Sequence, residues 1–212
     1  MYSTDKIALL GATGKSGTYV LREVLRAGYP CRLLLRDPSK LQETHPLIEV
    51  VQGDARDPEA LLHLLKGCTA VLSTLGQPAG ESSIFSTATR NVLQAMERHG
   101  IRRYIVTTGL SVDLPGDEKE PAVQQATDWM KQHYPETTFD KQKEYEVLAA
   151  SGVQWTLVRL PLIDLTGDPG QLQTDLHHCP WPRVSASGLA QFLLRQLKES
   201  TWHQKAPFAG NL

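Results

Sequence analysis

Short apolar runs alternate along the chain with longer segments in which apolar and polar residues recur at helical spacing. Most of the runs are continuous in apolar residues, which is typical of strands covered on both faces of a parallel sheet. The predicted strands are Ile7–Leu10, Cys31–Leu35, Ile48–Val51, Ala70–Leu75, Tyr104–Thr107 and Trp155–Leu160. The predicted helices are Lys15–Ala27, Pro58–Lys66, Ser83–His99, Phe139–Ala150 and Ser187–Glu199. This alternating order predicts a doubly wound α/β fold with a parallel sheet.

Several residues mark the expected ends of these helices. Gly28, Gly100 and Gly152 each follow a helical segment, where a left-handed residue commonly ends the helix. Asp57 and Pro58 form the pair expected at a helix start, with an N-cap followed by proline in the first turn.

Two polar segments interrupt the pattern of strands and helices. Leu110–Pro121 follows the fifth predicted strand and contains Pro115 and Gly116, and Asp164–Pro182 is rich in Gly, Pro and His. Loops of this length in a compact domain are usually functional or mobile. We therefore expect both segments, about 110–121 and 164–182, on the substrate side of the fold.

Composition bounds the class of protein. The 212 residues suffice for one domain with a well-developed core, so a single domain over residues 1–212 is predicted. Lys and Arg number 22 and Asp and Glu 23, and a formal net charge of -1 without a basic block argues against nucleic-acid binding. No apolar run approaches a membrane span, and Met1–Lys6 lacks a signal-peptide pattern. Three widely separated cysteines favour a reducing, cytoplasmic location.

The most informative motif is the glycine-rich stretch Gly11–Gly17, which follows the first strand and opens the first helix. Gly11 permits a tight turn, Gly14 lets backbone approach a phosphate, and Gly17 allows close helix–strand packing. This strand–turn–helix context favours a dinucleotide site over a merely structural turn. A nucleotide triphosphate loop would need glycine where Leu9 stands. The candidate phosphate-binding residues are Gly11, Thr13, Gly14, Lys15, Ser16 and Gly17.

A second signal lies at the end of the second predicted strand. An NAD site places a carboxylate here for the ribose hydroxyls, whereas arginine suits a 2′-phosphate through its planar donors and fixed charge. Arg36 therefore favours NADP(H) over NAD(H), with Ser39 and Lys40 as further contacts. Asp37 is the alternative, as the carboxylate of an NAD site.

Together these features resemble the atypical short-chain dehydrogenase/reductase group. Within it the chain is similar to NAD(P)H-binding, NmrA-like and flavin reductase (biliverdin reductase B)-like proteins. The resemblance covers nearly the whole chain and implies a Rossmann-like fold with bound NADP(H). The motifs that carry it are the glycine turn, Leu35-Arg36-Asp37, Gly53-Asp54-Ala55, Gly67–Val71 and Ala149–Arg159.

The resemblance also implies roles for residues that follow the third, fourth and fifth strands. Asp54 approaches the adenine amino group, Ser73–Gly76 lines the cofactor, and Thr107 to Gly109 lie near the nicotinamide. The two threonines of that last stretch can equally be β-branched filling of a buried strand. The implied cofactor contacts are Asp54, Ala55, Leu75, Gly76 and Thr107, and Thr108 is a candidate catalytic residue.

The chain departs from the group at its usual proton donor. Many short-chain dehydrogenases use Tyr-x-x-x-Lys, and here only Tyr2 and Lys6 have that spacing, before the first strand. Lys141 or Lys143 in the expected helix can instead reach the cofactor, and Lys143 is our candidate catalytic residue, although a solvated surface lysine is the common alternative. A ketone reductase without a positioned acid loses roughly 10²–10⁴ in rate.

These observations favour NADPH-dependent hydride transfer to a small conjugated acceptor, flavin-like or quinone-like. Such a ring accepts hydride without a dedicated acid, because the cofactor carries the chemistry and water can supply a proton. One alternative is a non-catalytic NADP(H)-binding redox sensor of the NmrA-like type, acting on a protein partner. The other is chemistry of the sugar-nucleotide epimerase or dehydratase kind, for which the chain leaves little room for a substrate domain.

The histidines and cysteines do not indicate a metal site. His177, His178 and Cys179 are consecutive, so their side chains cannot easily converge on one ion, and no CxxC or HxxxH spacing accompanies them. We expect His177 or His178 to border the substrate pocket. Trp181, between two prolines, is a candidate for covering a ligand.

Overall fold

One sheet forms the centre of the fold in the computed structural model, which describes residues 3–211. Its strands are β1 (Ile7–Leu10), β2 (Cys31–Leu35), β3 (Ile48–Gln52), β4 (Ala70–Ser73), β5 (Arg103–Gly109), β6 (Gln154–Leu160), β7 (Leu162–Asp164), β8 (Leu172–Asp175), β9 (Arg183–Ser185) and β10 (Phe208–Asn211). The order is β3-β2-β1-β4-β5-β6-β10-β9-β7, with β8 paired to β10. β1 to β6 pair in parallel, whereas β8 and β9 pair antiparallel with β10.

Helices cover both faces of this sheet. They are α1 (Gly17–Arg26), α2 (Pro58–Leu65), α3 (Phe85–His99), α4 (Pro121–His133), α5 (Pro135–Ala149) and α6 (Ala186–Arg195). Alternate residues of β1 point to opposite faces: Ala8 and Leu10 pack with α2 and α3, and Ile7 and Leu9 pack with α1 and α6. The two apolar clusters explain why the strand sequences are continuous in apolar residues. This is the predicted doubly wound α/β fold.

The position of the site follows from the strand order. The chain builds β2 and β3 on one side of β1, and then β4, β5 and β6 on the other. The order therefore reverses between β1 and β4. In open α/β sheets ligands bind at such a switch point, outside the carboxyl ends of the strands.

The local helix signals are confirmed with one exception. Asp57 accepts a hydrogen bond from the backbone N–H of Glu59, and Gly28 and Gly100 adopt positive φ angles of 77° and 68°. Gly152 was expected to end α5 in the same way, and this prediction is wrong. α5 ends in right-handed geometry at Ala150, and the Ser151 hydroxyl donates to Leu148 O at 2.7 Å instead.

The structure contains elements that the sequence pattern did not predict. α4 follows the first polar segment, and its buried residues are only Val123 and Thr127, so it carries little apolar periodicity. The second polar segment contains β8, and β10 includes Gly210, whose Cβ would lie 2.3 Å from the Trp181 Cβ. No helix within residues 3–211 has the length and apolar character needed to cross a membrane.

Candidate functional site

In the glycine-rich turn between β1 and α1, close backbone contacts leave no room for a side chain at positions 11 and 17. Gly11 has φ +79°, and a Cβ there would lie 2.6 Å from Thr74 O. A Cβ on Gly17 would lie 1.9 Å from Gly11 O. The backbone N–H of Gly14 donates to Gly11 O at 2.9 Å. The turn therefore requires glycine at 11 and 17 for packing, and it exposes the backbone of Gly14 to the cleft.

The helix α1 begins directly after the glycine turn, whose residues Gly11, Thr13 and Gly14 line the cleft. Ser16 is the N-cap residue, and its side chain makes no capping hydrogen bond. The backbone N–H groups of Thr18 and Tyr19 donate to Gly14 O and Ser16 O, both at 3.1 Å, and the helix dipole is positive at this end. This turn is therefore suited to an anionic group such as a pyrophosphate.

The end of β2 places both a cationic side chain, Arg36, and a carboxylate, Asp37, at the cleft. Asp37 Oδ1 accepts hydrogen bonds from the backbone N–H and the hydroxyl of Ser39, at 3.0 and 2.6 Å, which lower the pKa of Asp37. Arg36 is 53% exposed, and its Nη1 donates to Glu81 Oε1 at 2.7 Å. Arg36, Asp37 and Lys40 all line the cleft, and the Asp37 carboxylate also caps its own turn.

The ends of β3 and β4 meet across the same cleft. Arg56 Nη1 lies 3.2 Å from Asp54 Oδ2 and 2.9 Å from Glu81 Oε2, and the Arg56 backbone N–H donates to Asp54 Oδ1 at 2.8 Å. Glu81 thus bridges two guanidinium groups, and the hydrogen bond from Arg36 contributes most to lowering the Glu81 pKa. The cleft between these groups and the glycine turn has a volume of about 310 Å³.

Lys141 lies at the carboxyl end of β5. Its Nζ is the nearest atom to a Cβ built on Gly109, at 3.6 Å, and lies 4.8 Å from the centre of the Phe85 ring. Lys143 is about 200° further around the helix, and its Nζ lies 4.4 Å from the ring centre of Phe139, a 63% exposed side chain. The structure therefore brings Lys141 to the end of β5. The catalytic role of Lys143 stays a prediction that this geometry does not favour.

A buried polar cluster lies beneath Lys141. Glu144 is 3% exposed, and its Oε1 accepts a hydrogen bond from Thr89 Oγ1 at 2.8 Å. Burial raises the pKa of Glu144 to about 7 and lowers the pKa of Lys141, while the negative charge of Glu144 partly opposes that lowering. The Tyr104 hydroxyl lies 3.3 Å from Thr89 Oγ1, so this tyrosine is engaged in the interior. Thr108 lies on the same face of β5 as Tyr104, and its buried Oγ1 has no hydrogen-bond partner among the described residues.

The two polar segments beyond β5 and β6 are tied to each other. Arg159 on β6 is fully buried, and its Nη1 donates to both carboxylate oxygens of Asp117, at 2.7 and 2.6 Å. His177 Nδ1 lies 2.7 Å from Gly116 O, and His178 lies 3.4 Å from Glu118. The histidines therefore join the two segments.

Trp181 was a candidate for covering a ligand. Instead it is 5% exposed and packs in an apolar cluster with Val123, Cys179 and Phe208. The prediction that it covers a ligand is wrong.

The predicted cofactor residues divide into two groups. The predicted residues that do not line the cleft are Lys15, Ser16, Gly17, Ser39 and Thr107. Gly17 packs under the turn, and Thr107 Oγ1 donates a hydrogen bond to Ser73 O at 3.4 Å. Those that line one continuous cleft are Gly11, Thr13, Gly14, Arg36, Lys40, Asp54, Ala55, Leu75 and Gly76.

Comparison with known proteins identifies the family. The sequence profile of the NAD(P)H-binding family matches residues 11–200, which span the glycine turn, the cleft and α6. The chain belongs to this NAD(P)H-binding family.

Relatives of this NAD(P)H-binding protein include reductases and epimerases. The (4-alkanoyl-5-oxo-2,5-dihydrofuran-3-yl)methyl phosphate reductase of Streptomyces griseus is 30% identical over 154 residues, covering 72% of this chain and 46% of the reductase. The chain thus spans about half the length of that curated relative.

Solved structures show the same fold over nearly the whole chain. A short-chain dehydrogenase/reductase from Veillonella parvula in complex with NADP has a TM-score of 0.78 at 19% identity, covering 100% of this chain and 95% of that one. ChuY, an anaerobilin reductase from Escherichia coli O157:H7, has a TM-score of 0.81 at 18% identity, covering 97% of each chain.

The residues of this NAD(P)H-binding protein fit a nicotinamide dinucleotide. The glycine turn places Gly11 and Gly14, which have no side chains, at the cleft, and Arg36 and Lys40 supply donors for phosphate. Thr108 supplies a buried hydroxyl that has no partner within residues 3–211.

Sequence reasoning missed Arg56, Glu81 and Glu144, which have no motif of their own. Only their contacts across the sheet identify them.

Proposed function

We propose that the protein is an NADPH-dependent reductase that transfers hydride to a small conjugated acceptor, of the flavin or quinone type. The supporting observation is the position of Lys141 Nζ beside Gly109, at the same carboxyl edge of the sheet as the glycine turn. A dinucleotide laid along this edge has its pyrophosphate at the turn and its nicotinamide near Lys141. The reductases among the relatives are consistent with this chemistry.

Preference for NADP(H) over NAD(H) is part of the proposal. The carboxylate that an NAD site needs at the end of β2 is Asp37, and it is engaged with Ser39. Arg36 and Lys40 carry positive charge at the cleft, and a guanidinium pairs well with a phosphate monoester. Asp54, which Arg56 holds after the end of β3, would meet the adenine.

The residues of the chain then bind, orient and shield rather than donate a proton. NADPH supplies the hydride when bound. Lys141 would hold the ribose on the nicotinamide side, and Thr108, whose hydroxyl has no partner among the described residues, would offer that hydroxyl to the ring region. No Tyr-x-x-x-Lys pair exists within residues 3–211, and Tyr2 lies outside the described residues. The acceptor gains the hydride and takes its proton from water, which a conjugated ring tolerates better than an isolated ketone.

The test is a titration with NADPH and NADH, followed by stopped-flow mixing of the NADPH complex with FMN or a simple quinone. We expect tight NADPH binding and rapid loss of the nicotinamide absorbance. In Arg36→Ala the preference for NADPH over NADH should fall by about tenfold or more, because a charge-assisted pair with phosphate is lost. An unchanged preference would contradict the assignment of Arg36.

Lys141 and Lys143 form a matched pair on one helix. We expect Lys141→Met to slow hydride transfer or raise the NADPH KM by about ten- to 100-fold, because a charge-assisted hydrogen bond to the ribose is lost. Lys143→Met, which removes the same charge from the surface, should stay within about twofold of wild type by the same estimate. If the two substitutions have equal effects, a catalytic role for Lys143 is as well supported as a role for Lys141.

A redox sensor is the second candidate function. The lack of a Tyr-x-x-x-Lys pair within residues 3–211 supports a sensor as well as it supports a flavin or quinone reductase. Tight NADPH binding without loss of nicotinamide absorbance on any acceptor would favour the sensor and direct attention to a protein partner.

A further inference from the structure

The loop that follows β4 crosses the cleft and is fastened on its far side. β4 is separated from β2 and β3 by β1, yet Glu81 pairs with Arg36 after β2 and with Arg56 after β3. Arg56 Nη2 also donates to Ser82 O at 3.0 Å. Gln77 stiffens the loop, because its Nε2 donates to Glu81 O at 2.8 Å.

The Glu81 carboxylate occupies a position with the chemistry of a phosphate site. Its two oxygens each face a different guanidinium, at 2.7 and 2.9 Å, as two oxygens of a phosphate monoester would. The side chains of Arg36, Arg56 and Glu81 are 53, 30 and 41% exposed, so an incoming anion can reach them. An exposed ion pair is weak, and a dianion with three acceptor oxygens can displace a carboxylate from it.

We propose that Glu81 determines cofactor specificity by occupying the 2′-phosphate site of the free protein, and that Arg56 joins Arg36 in holding that phosphate once Glu81 leaves. The inference rests on the proposed NADP(H) function and adds two residues to it. NADP must displace Glu81 before it can use both arginines. NAD carries a hydroxyl at this position and leaves the bridge closed.

The first test compares Glu81→Gln with the wild-type chain by calorimetric titration with NADP and with NAD. Glutamine keeps the size of the side chain but removes the competing charge. We expect NADP to bind about three- to tenfold more tightly, and NAD to change by less than about twofold. Glu97→Gln is the control, because it removes one exposed negative charge from α3 away from the cleft.

The second test addresses Arg56. Arg56→Ala should weaken NADP binding about tenfold more than NAD binding, because only NADP loses a charge-assisted hydrogen bond to its phosphate. In that background Glu81→Gln should have a smaller effect than in wild type, since the two residues share one interaction. Amide exchange in residues 77–82 should rise when NADP binds and not when NAD binds.

Several outcomes would overturn the inference. If Glu81→Gln changes the affinities for NADP and NAD equally, or if Glu97→Gln changes the NADP affinity as much, the effect comes from the overall charge of the protein and not from the bridge. If Glu81→Gln binds NADP more weakly than the wild type does, Glu81 holds the arginines in place for the phosphate and does not compete with it. If the wild type reduces an acceptor with NADPH but Glu81→Gln changes nothing, the inference fails and the proposed function stands. If neither chain binds either dinucleotide, both fail.

Discussion

Gly17→Ala is expected to abolish NADP(H) binding and to destabilise the fold. The new Cβ would lie 1.9 Å from Gly11 O and 2.8 Å from Gly11 C, and both are backbone atoms that no side-chain rotation can move aside. Relief requires α1 to move away from the glycine turn, which removes the close helix–strand packing that the third glycine allows. Overpacking of this kind costs about 1–3 kcal/mol of unfolding free energy.

The same movement disturbs the phosphate cradle. The proposed pyrophosphate site combines the positive end of α1 with the backbone of Gly14, and this movement separates the two, so we expect NADPH affinity to fall by about 100-fold or more, since each lost charge-assisted hydrogen bond weakens binding about tenfold or more. The measurements are urea unfolding and fluorescence titration with NADPH. Gly152→Ala is the control, because a Cβ there meets nothing within 4 Å and its φ is not positive. If Gly17→Ala binds NADPH with wild-type affinity, the pyrophosphate does not bind at the glycine turn.

Features encoded within a few residues could be predicted from the sequence. The strands β1 and β2 have the predicted bounds, because both are short apolar runs between turn residues. The glycine turn and Arg36 belong to one strand–turn–helix unit and to the neighbouring strand end, so local spacing indicates the cleft. The Asp57 cap was predictable for the same reason.

Features that depend on distant contacts could not be predicted. α4 buries little, and it is held through its neighbours rather than by an apolar stripe. Lys141 and Lys143 are two positions apart in a polar helix, and only the packing of α5 against α3 decides which one faces Gly109. Glu81 meets Arg36 and Arg56 across sequence separations of 45 and 25 residues, which no local pattern reveals.

Asp117→Ala is expected to have the largest effect on stability among changes outside the cleft. Arg159 is 0% exposed and lies between the two polar segments: its Nη1 pairs with Asp117, its Nη2 donates to Leu176 O at 2.9 Å, and its Nε donates to Ala206 O at 2.9 Å. Burial lowers the pKa of Arg159, and the Asp117 carboxylate opposes this lowering. Removing the carboxylate leaves a buried guanidinium without its counter-charge, which costs about 3–5 kcal/mol of unfolding free energy.

In the proposed reductase, where we expect these two segments on the substrate side, the effect should also reach acceptor binding. Asp117 belongs to the segment after β5 and Leu176 to the segment before β9, so loss of the pair loosens both segments and should raise the KM for the acceptor more than the KM for NADPH. Asp164→Ala is the matched control, because Asp164 pairs with Arg183 at the surface, where both side chains are about half exposed and such a pair contributes about 0–1 kcal/mol. The measurement is the free energy of unfolding of the two variants in chemical denaturant. Equal destabilisation would mean that Arg159 keeps its charge compensated without Asp117, and that the two segments are held by their backbone contacts alone.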